Sequence, residues 1–291
     1  MIGAGEKPGA LRQRDLRRRF DGAAATFDDA DFVHRHAAGG LFDRMSPMLV
    51  NVQRIVDAGA GPGSATRELT KLYRHSHVLS LDHSISMLRR AKKARSRFAR
   101  VFEVQADAVA PPLPAGSVDL VFANMLLPWV EDMGLLFSAV DRVLRKDGLF
   151  VFSSLGPDSL GELRQAWASV DDGEHVNTFI DMHDVGDALL KCGLREPVLD
   201  VDYLTVTYRN ADALFKDLTL AGARNCLSGR RRTLTGKNRF ARMKQALNSS
   251  GNGGPLACRF ELVYGHAWGG GPRQSPGEVR VDVASVLRRR R

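Results

Sequence analysis

Residues 55–63 read IVDAGAGPG, and this stretch decides the fold. Two β-branched residues and Asp57 lead directly into three glycines at alternate positions, Gly59, Gly61 and Gly63. β-Branched residues favour a buried strand, and glycines let the backbone turn sharply into a helix without side chains that would obstruct a ligand. The stretch therefore predicts a strand, a tight turn and a helix that together bind a cofactor containing a nucleoside.

Segments of strand and helix character alternate on either side of this turn. The predicted strands are 55–56, 78–81, 101–105, 118–123 and 148–154, and the predicted helices between them are 64–73, 84–97 and 135–144. This alternation is typical of a doubly wound, mostly parallel sheet. Beyond it we predict helices over 160–170 and 185–192, strands over 198–208 and 256–264, and a helical insertion over 211–246.

The length of 291 residues, of which 44% are hydrophobic, suffices for one large α/β domain. We expect a disordered N-terminus over 1–15, a single domain over 16–268 with a helical insertion at about 209–250, and a flexible basic tail over 269–291. Within the domain, the apolar pattern of 16–42 predicts helical pieces broken near Gly22 and at Gly39 and Gly40, then a short helix over 41–50.

Composition excludes several classes of protein. No apolar run approaches the roughly 18 residues of a membrane span, and the three cysteines have no metal-ligand spacing, so no metal site is predicted. We expect a soluble, cytoplasmic protein with reduced thiols that does not contact a membrane. The formal charge of +9 favours an acidic partner, either a nucleic acid or an acidic protein.

Three acidic residues indicate which cofactor is bound. Asp82 closes the second predicted strand, where its carboxylate can accept hydrogen bonds from both ribose hydroxyls of NAD or of S-adenosylmethionine. Asp107 follows the third strand at the height of an adenine amino group, and Asp57 precedes the turn where a ligand's ammonium group would lie. Three carboxylates around one pocket attract a sulfonium and an ammonium and repel a pyrophosphate, which favours S-adenosylmethionine.

The segments DAGAGPG, SLDHS, ADA, VDLVFANMLLPWV and DGLFVFSS resemble those of class I methyltransferases over residues 50–155. The resemblance implies a Rossmann-like α/β fold: seven strands, mostly parallel, with helices on both faces, a helical insertion between the last two strands, and a last strand inserted within the sheet. It also implies a cofactor site of Asp57, Gly59, Gly61, Gly63, Asp82, His83, Asp107, Ala108, Asn124 and Met125.

The end of the fourth strand, NMLLPW, bears on the methyl acceptor. It lacks the Asp/Asn-Pro-Pro-aromatic motif of adenine-N6 enzymes and the Pro-Cys nucleophile of base C5 enzymes. Nucleic acid is therefore not expected as the acceptor, and the basic charge needs another acidic partner.

The second half of the chain resembles one family closely. GPDSLGELRQAW, HVNTFIDMHDVGDALLKCGLREPVLDVDYLTVTY, LAGARNCLSGRRRTLTG and FELVYGHAW are similar to segments of the malonyl-acyl carrier protein O-methyltransferases of biotin synthesis, with similarity over about 20–268. In that family a methyl group from S-adenosylmethionine masks the free carboxylate of a malonyl thioester, so that fatty-acid enzymes accept it as a primer. The resemblance implies malonyl-acyl carrier protein or malonyl-CoA as partner, and a monomer.

The expected chemistry requires no general base, because a malonyl carboxylate is already ionised near neutral pH. Catalysis then consists of removing water from the carboxylate and aligning it with the methyl group. We expect one of Arg230, Arg231 and Arg232 to orient the malonyl group, while its neighbours meet the phosphopantetheine phosphate or the acidic carrier. The other candidate substrate-binding residues are Phe27, Trp129 and His183.

Two departures from the family pattern concern the acceptor. Phe27 stands where the family usually has a tyrosine, and Pro128 stands where a polar residue more often precedes the tryptophan. Two rival functions also stay open. One is a relative of the mitochondrial assembly factor for respiratory complex I, which modifies a protein arginine, and the other is a cofactor-binding module that recruits an acidic partner without methyl transfer. The FIDMHD and YGHAW segments favour the biotin enzyme over the first.

Overall fold

Seven strands form one sheet in the computed structural model, which describes residues 10–46, 48, 52–231, 233, 235–251 and 254–271. In chain order the strands are β1 (Arg54–Ala58), β2 (His77–Asp82), β3 (Val101–Gln105), β4 (Val118–Ala123), β5 (Leu144–Leu155), β6 (Arg195–Tyr208) and β7 (Leu256–Trp268). Their spatial order is β3-β2-β1-β4-β5-β7-β6, and β7 runs antiparallel to both of its neighbours. The predicted class I arrangement, with the last strand inserted within the sheet, is confirmed.

Helices cover both faces of this sheet. Those in the described ranges are α1 (Gln13–Ala23), α2 (Phe32–Met45), α3 (Ser64–Leu72), α4 (Ile85–Ala94), α5 (Met133–Val143), α6 (Gly161–Ala168), α7 (Met182–Lys191), α8 (Ala211–Leu220) and α9 (Lys237–Ser249), with single 3-10 turns at Phe27–Asp29 and Leu127–Trp129. Helices α2, α3, α6, α8 and α9 share one apolar core, and α5 and α7 share another. Since β4 lies between two such layers, all its residues are buried. None of the described helices has the length and apolar character needed to span a membrane.

The predicted helix break at Gly39 and Gly40 is wrong, because α2 continues through both glycines. A Cβ atom at Gly40 would lie 2.5 Å from the hydroxyl oxygen of Tyr264. This glycine therefore marks a close approach of helix and sheet and not the end of a helix. The predicted short helix over 41–50 is the last part of α2, which ends at Met45; positions 47 and 49–51 lie outside the described residues.

The predicted disorder over 1–15 is wrong for residues 10–15, whereas residues 1–9 lie outside the described ones. Leu11 is buried and forms an isolated antiparallel bridge with Leu227 of the insertion, and α1 begins at Gln13. Burial of an apolar side chain against a distant segment orders this part of the chain. Of the predicted tail, residues 269–271 continue from β7, and 272–291 lie outside the described residues.

The prediction of a helical insertion over 211–246 is only partly right, because the insertion between β6 and β7 is not continuously helical. Helix α8 ends at Leu220 and α9 begins at Lys237, and the described residues between them form turns and loops. Gly222 has a φ of +71°, a left-handed conformation typical of the residue that ends a helix, and a Cβ there would lie 3.1 Å from the Cβ of Ala23. Arg230 and Arg231 therefore lie on a loop that packs against the N-terminal helix.

Candidate functional site

The three glycines of the turn after β1 all adopt left-handed conformations, with φ of +72° at Gly59, +54° at Gly61 and +82° at Gly63. A Cβ at Gly59 would lie 3.0 Å from Leu126, and one at Gly63 would lie 2.9 Å from Ala91, so both positions are packed against protein. No heavy atom lies within 4 Å of a Cβ built on Gly61. The open space at this middle glycine is where a ligand can approach the backbone.

Asp82, at the end of β2, stabilises this turn. One carboxylate oxygen accepts a hydrogen bond of 2.9 Å from the backbone N–H of Gly61, and the other accepts one of 2.7 Å from the backbone N–H of Ser84. Burial raises the pKa of Asp82, while the two N–H groups favour its charged form. Each oxygen keeps a further lone pair, so the side chain remains able to accept hydrogen bonds from a ribose.

Asp57 lies buried beneath the same turn. The Thr66 hydroxyl donates a hydrogen bond of 2.5 Å to its carboxylate. Burial raises the pKa of Asp57 to about 7; the bond from Thr66 opposes this rise, and the nearby charge of Asp82 adds to it. A cation bound beside Asp57 would favour its deprotonated form, because opposite charges attract strongly where water is excluded.

The chain after β3 reaches the same edge of the sheet, because Gln105 is the register partner of Asp82. Asp107 is exposed there, with one carboxylate oxygen accepting the N–H of Val109 at 3.0 Å, and Ala108 beside it is half-buried. The Gln105 side chain donates to the carbonyl oxygen of His83 at 3.0 Å. The predicted cofactor residues of the first three strands thus lie at the carboxyl ends of adjacent strands, although their contacts with a ligand stay predictions.

The end of β4 is held by hydrogen bonds that sequence analysis missed. Met125 has a φ of +56°, and its N–H donates to the Ser153 hydroxyl at 2.9 Å. That hydroxyl donates to the Asn124 side chain at 2.8 Å, and the amide group of Asn124 donates to the carbonyl oxygen of His34 at 3.0 Å. A non-glycine residue with positive φ costs free energy and persists where its surroundings fix it, which is frequent at functional sites.

The N-terminal region covers the turn after β2. Asp21 of α1 accepts a hydrogen bond of 2.6 Å from the Ser84 hydroxyl, next to Asp82. Arg90 of α4 donates to the carbonyl oxygen of Ala25 and forms an ion pair with Asp28, both at 2.6 Å. No local sequence signal marks these contacts, since they join residues more than 60 positions apart.

A cavity of about 370 Å³ begins at the end of β4, next to Met125 and His34. Its apolar walls come from the sheet, the 3-10 turn at Leu127–Trp129, α6 and the insertion, and include Trp129, Leu163, Trp167, Phe215, Phe240 and Phe260. Its charged and polar lining includes Arg19, His175, Asp217, Arg224, Arg230 and Arg231. A largely apolar cavity lined by a few cations is suited to an anionic acceptor whose remainder is uncharged.

Three of the predicted substrate residues, Trp129, Arg230 and Arg231, line this cavity. Arg230 forms an ion pair of 2.5 Å with Asp15 of α1, and this hydrogen bond lowers the pKa of Asp15. Arg232 lies outside the described residues. Sequence analysis missed Arg19, which belongs to the arginine run of residues 17–19 and reaches the cavity from α1.

The structure does not bring the other two predicted substrate residues to the cavity. Phe27 is buried in a small cluster with Met87, with its ring edge-on to that of His34 at 4.9 Å between centroids. His183 is wrong as a cavity residue: its side chain is 82% exposed, and its ring lies 2.7 Å from Asp181, the N-cap of α7. Helix α7 packs in the core opposite the one that holds most of the cavity walls.

The strand order, the glycine turn and its carboxylates define a class I methyltransferase, and a family model described as a methyltransferase domain matches residues 56–152. S-adenosylmethionine is the cofactor of this class, and the open approach at Gly61 beside Asp82 and Asp57 fits it. The chain belongs to the family of malonyl-[acyl-carrier protein] O-methyltransferases. It is 38% identical to the one from Gallionella capsiferriformans (strain ES-2), over 96% of both chains, and 39% identical to the one from Halorhodospira halophila (strain DSM 244 / SL1), over 97% of this chain and 98% of the relative.

Solved structures with lower identity share the fold alone. The YcgJ protein of Bacillus subtilis has a TM-score of 0.59 at 15% identity, covering 82% of this chain and all of that one. A phosphoethanolamine N-methyltransferase 2 of Haemonchus contortus, solved with S-adenosylhomocysteine, has a TM-score of 0.51 at 18% identity, covering 81% of this chain and 52% of that one.

Proposed function

We propose that this protein transfers a methyl group from S-adenosylmethionine to the free carboxylate of a malonyl thioester on acyl carrier protein or coenzyme A. The product would be the methyl ester that primes pimeloyl synthesis for biotin. The observation that carries the proposal is the apolar cavity with an arginine-lined side that begins at Met125, the residue before Leu126, which packs against Gly59 of the cofactor turn. The relatives named for this reaction support it.

Groups at the carboxyl ends of β1 to β4 would hold the cofactor. S-adenosylmethionine, when bound, supplies a methyl group activated by a positively charged sulfur. Asp82 would accept hydrogen bonds from the ribose hydroxyls, and Asp107 would accept one from the adenine amino group. Asp57 would face the ammonium group, while the backbone at Gly61 allows close approach of the ligand. These residues bind and orient, and none needs to move a proton.

The acceptor is a carboxylate that is already ionised, so the protein has to desolvate and orient it. The aromatic and aliphatic walls of the cavity exclude water from the acceptor. Arg19, Arg230 and Arg231 make the cavity attractive to an anion. Because Arg230 already pairs with Asp15, it would attract the carboxylate without the tight bidentate grip that would reduce its nucleophilicity.

His34 would orient the acceptor as a neutral hydrogen-bond donor. Burial lowers the pKa of His34 to about 4, so its ring is uncharged at neutral pH. Its Nδ1 atom is shielded and has no hydrogen-bond partner, whereas the residue lines the cavity. The tautomer with the proton on Nε2 avoids a buried, unpaired N–H group. The Nε2–H group would donate a hydrogen bond to the acceptor, which aligns an oxygen without placing a full positive charge beside it.

We also propose that the protein acts as a monomer in the cytoplasm. Its three cysteines are free and buried, which suits a reducing compartment.

Incubation with S-adenosylmethionine labelled on the methyl group tests the reaction. The acceptors are malonyl-acyl carrier protein, malonyl-CoA, acetyl-acyl carrier protein, RNA and an arginine-rich protein. We expect base-labile label on the malonyl thioesters and none on the acetyl carrier, which differs only in lacking the carboxylate. Base-stable label on protein arginine, label on RNA, or cofactor binding without any transfer would contradict the proposal.

The role of the arginine loop is tested by replacing Arg230, Arg231 and Arg232 singly with alanine. At least one variant should lose more than about threefold in kcat/KM for malonyl-acyl carrier protein, since a charged hydrogen bond is lost. Arg97→Ala is the matched control, because Arg97 is exposed in the turn after α4 and outside the cavity lining. If all three variants match that control, the loop does not orient the acceptor.

A further inference from the structure

A second hollow, of about 570 Å³, lies between α1 and the end of α8. We call it the arginine hollow, because its charged lining consists of Arg18, Arg19, Arg224, Arg230 and Asp15. Four arginines and one aspartate give this lining a net positive charge of three. Such a concentration of guanidinium groups on a concave surface attracts anions, and phosphate above all, because the guanidinium fork matches the phosphate oxygens.

The arginine hollow adjoins the acceptor cavity. Arg19, Thr219, Arg224 and Arg230 line both spaces, so the cations lie where one opens into the other. Inward from this junction the walls become mainly apolar, up to Met125 and His34. The two spaces together fit an elongated ligand with an anionic group at its outer part and an uncharged arm that leads to the reacting end.

Of the four arginines, Arg230 forms an ion pair with a carboxylate within the described residues, and among the other three Arg18 and Arg224 are exposed. Asp15 pairs with Arg230, whereas no ion pair of Arg18 or Arg224 is found in the described ranges. Both side chains belong to exposed residues on separate segments, α1 and the loop after α8. Their charges therefore remain available to a ligand that reaches the hollow from outside.

We propose that the arginine hollow binds the phosphate group that links a pantetheine arm to its carrier, with the thioester end of the arm in the apolar cavity. This inference rests on the proposed function, because a malonyl thioester of acyl carrier protein or coenzyme A is presented on such an arm. Arg18 and Arg224 contact the phosphate from opposite sides of the hollow, and Arg19 lies at the junction. Contacts this far from the reacting atoms act mainly on substrate binding and hence on KM.

The test compares two small acceptors that differ only in the phosphate, malonyl-pantetheine and malonyl-phosphopantetheine. In the unaltered protein the phosphorylated acceptor should have a KM about tenfold lower, as expected for charge-assisted hydrogen bonds to phosphate. The double variant Arg18→Ala/Arg224→Ala should lose this difference. Arg18→Ala alone, which alters the hollow and not the acceptor cavity, should reduce the difference while kcat and the KM of malonyl-pantetheine stay unchanged. Arg97→Ala, which removes an exposed arginine outside the hollow, should keep the difference.

Two outcomes would overturn the inference. In one, the unaltered protein uses both acceptors equally well. In the other, the double variant impairs both acceptors to the same extent, which would show that these arginines act on the malonyl carboxylate or on the fold. Thermal unfolding of the double variant distinguishes an effect on the malonyl carboxylate from an effect on the fold, because loss of the fold lowers the unfolding temperature.

A binding experiment separates this inference from the proposed reaction. Calorimetry with phosphopantetheine and pantetheine, neither of which carries a malonyl group, should give about tenfold tighter binding of the phosphorylated compound. The double variant should bind both compounds alike. If this holds while no malonyl thioester is methylated, the phosphate site stands and the proposed reaction fails. If methylation occurs but the phosphate adds no affinity, the reaction stands and the phosphate site fails.

Discussion

The cofactor half of the molecule and its acceptor side are built in different ways. In the cofactor half, the contacts that shape the site join neighbouring strands and their turns: Asp82 accepts from Gly61, which is 21 positions away. On the acceptor side, Arg230 pairs with Asp15 across 215 positions, and Leu11 pairs with Leu227. The first site depends on local backbone geometry, whereas the second exists only when the insertion packs against the N-terminal helix.

The two regions therefore differ in how freely their residues can be substituted. The glycine turn has little freedom, because Cβ atoms at Gly59 and Gly63 would crowd their neighbours. The loop that carries Arg224 and Arg230 is anchored through Cys226 and Leu227, which are buried against Leu16 of α1, whereas Arg224 is exposed and Arg230 is only half-buried. Acceptor specificity can therefore vary through exposed residues while the cofactor site stays intact, a division of roles typical of a scaffold with functional loops.

The largest effect is expected for Asp82→Asn, in the cofactor half. An asparagine presents one acceptor and one NH2 group, so the NH2 group would face the N–H of either Gly61 or Ser84. The turn loses a hydrogen bond, and the cofactor loses a charged acceptor. Affinity for S-adenosylmethionine should fall about a hundredfold, from roughly 3 kcal/mol of lost hydrogen bonding, as measured by calorimetry.

Asp107→Asn is the control for that comparison. Asp107 is exposed and accepts the N–H of Val109 through one oxygen only, so its amide substitute can keep this contact. We expect a loss of affinity several times smaller than for Asp82→Asn. Equal losses would show that the turn geometry imposed by Asp82 adds nothing to cofactor binding.

The next largest effect is a pH dependence of cofactor affinity. Since burial raises the pKa of Asp57 to about 7, protons compete with a cationic ligand below that pH. The dissociation constant of S-adenosylmethionine should decrease about tenfold between pH 6 and pH 8, as the deprotonated fraction rises. Asp57→Asn should remove this dependence, whereas a dependence that persists in the variant would assign it to another group.

The raised pKa of Asp57 also affects the stability of the cofactor-free protein. This stability should decrease as the pH rises, whereas the affinity for the cofactor should increase. Folding raises the pKa of Asp57 from 3.8 to about 7, so the folded state binds a proton that the unfolded chain releases. Its stabilising contribution is complete below pH 3.8 and is lost as the pH rises through about 7. The unfolding temperature of the cofactor-free protein should therefore fall less between pH 5 and pH 8 in Asp57→Asn than in the unaltered protein.

The sequence predicts the cofactor half well because its information is local. The strands β3 and β4 have the predicted bounds, and the glycine turn lies where the strand–turn–helix pattern puts it. Gly40 misled the prediction, since a glycine that makes room for Tyr264 looks the same in sequence as one that ends a helix. Propensity describes the residue itself and not the side chain that packs against it.

The acceptor side is less predictable for the same physical reason. Arg230 and Arg231 line the cavity, and their contact with an acceptor stays a prediction. Arg19 and His34 reach the same cavity from the N-terminal helices, which no local pattern connects with the insertion. Sequence analysis selects His183 by residue type, and in the structure its exposed ring pairs with Asp181, the N-cap of α7. A histidine's chemistry depends on its burial, which follows from tertiary packing.

The smallest effect is expected for His34, which connects the two regions through its carbonyl oxygen, the acceptor for the Asn124 side chain. His34→Phe keeps the ring against Phe27 but removes the N–H donor, so kcat should fall about fivefold, as expected for one neutral hydrogen bond of about 1 kcal/mol. His34→Gln keeps a donor and should retain most of the activity. If His34→Phe is fully active, the histidine serves only to pack; if it weakens S-adenosylmethionine binding instead, the two regions are coupled through Asn124, and their separation is incomplete.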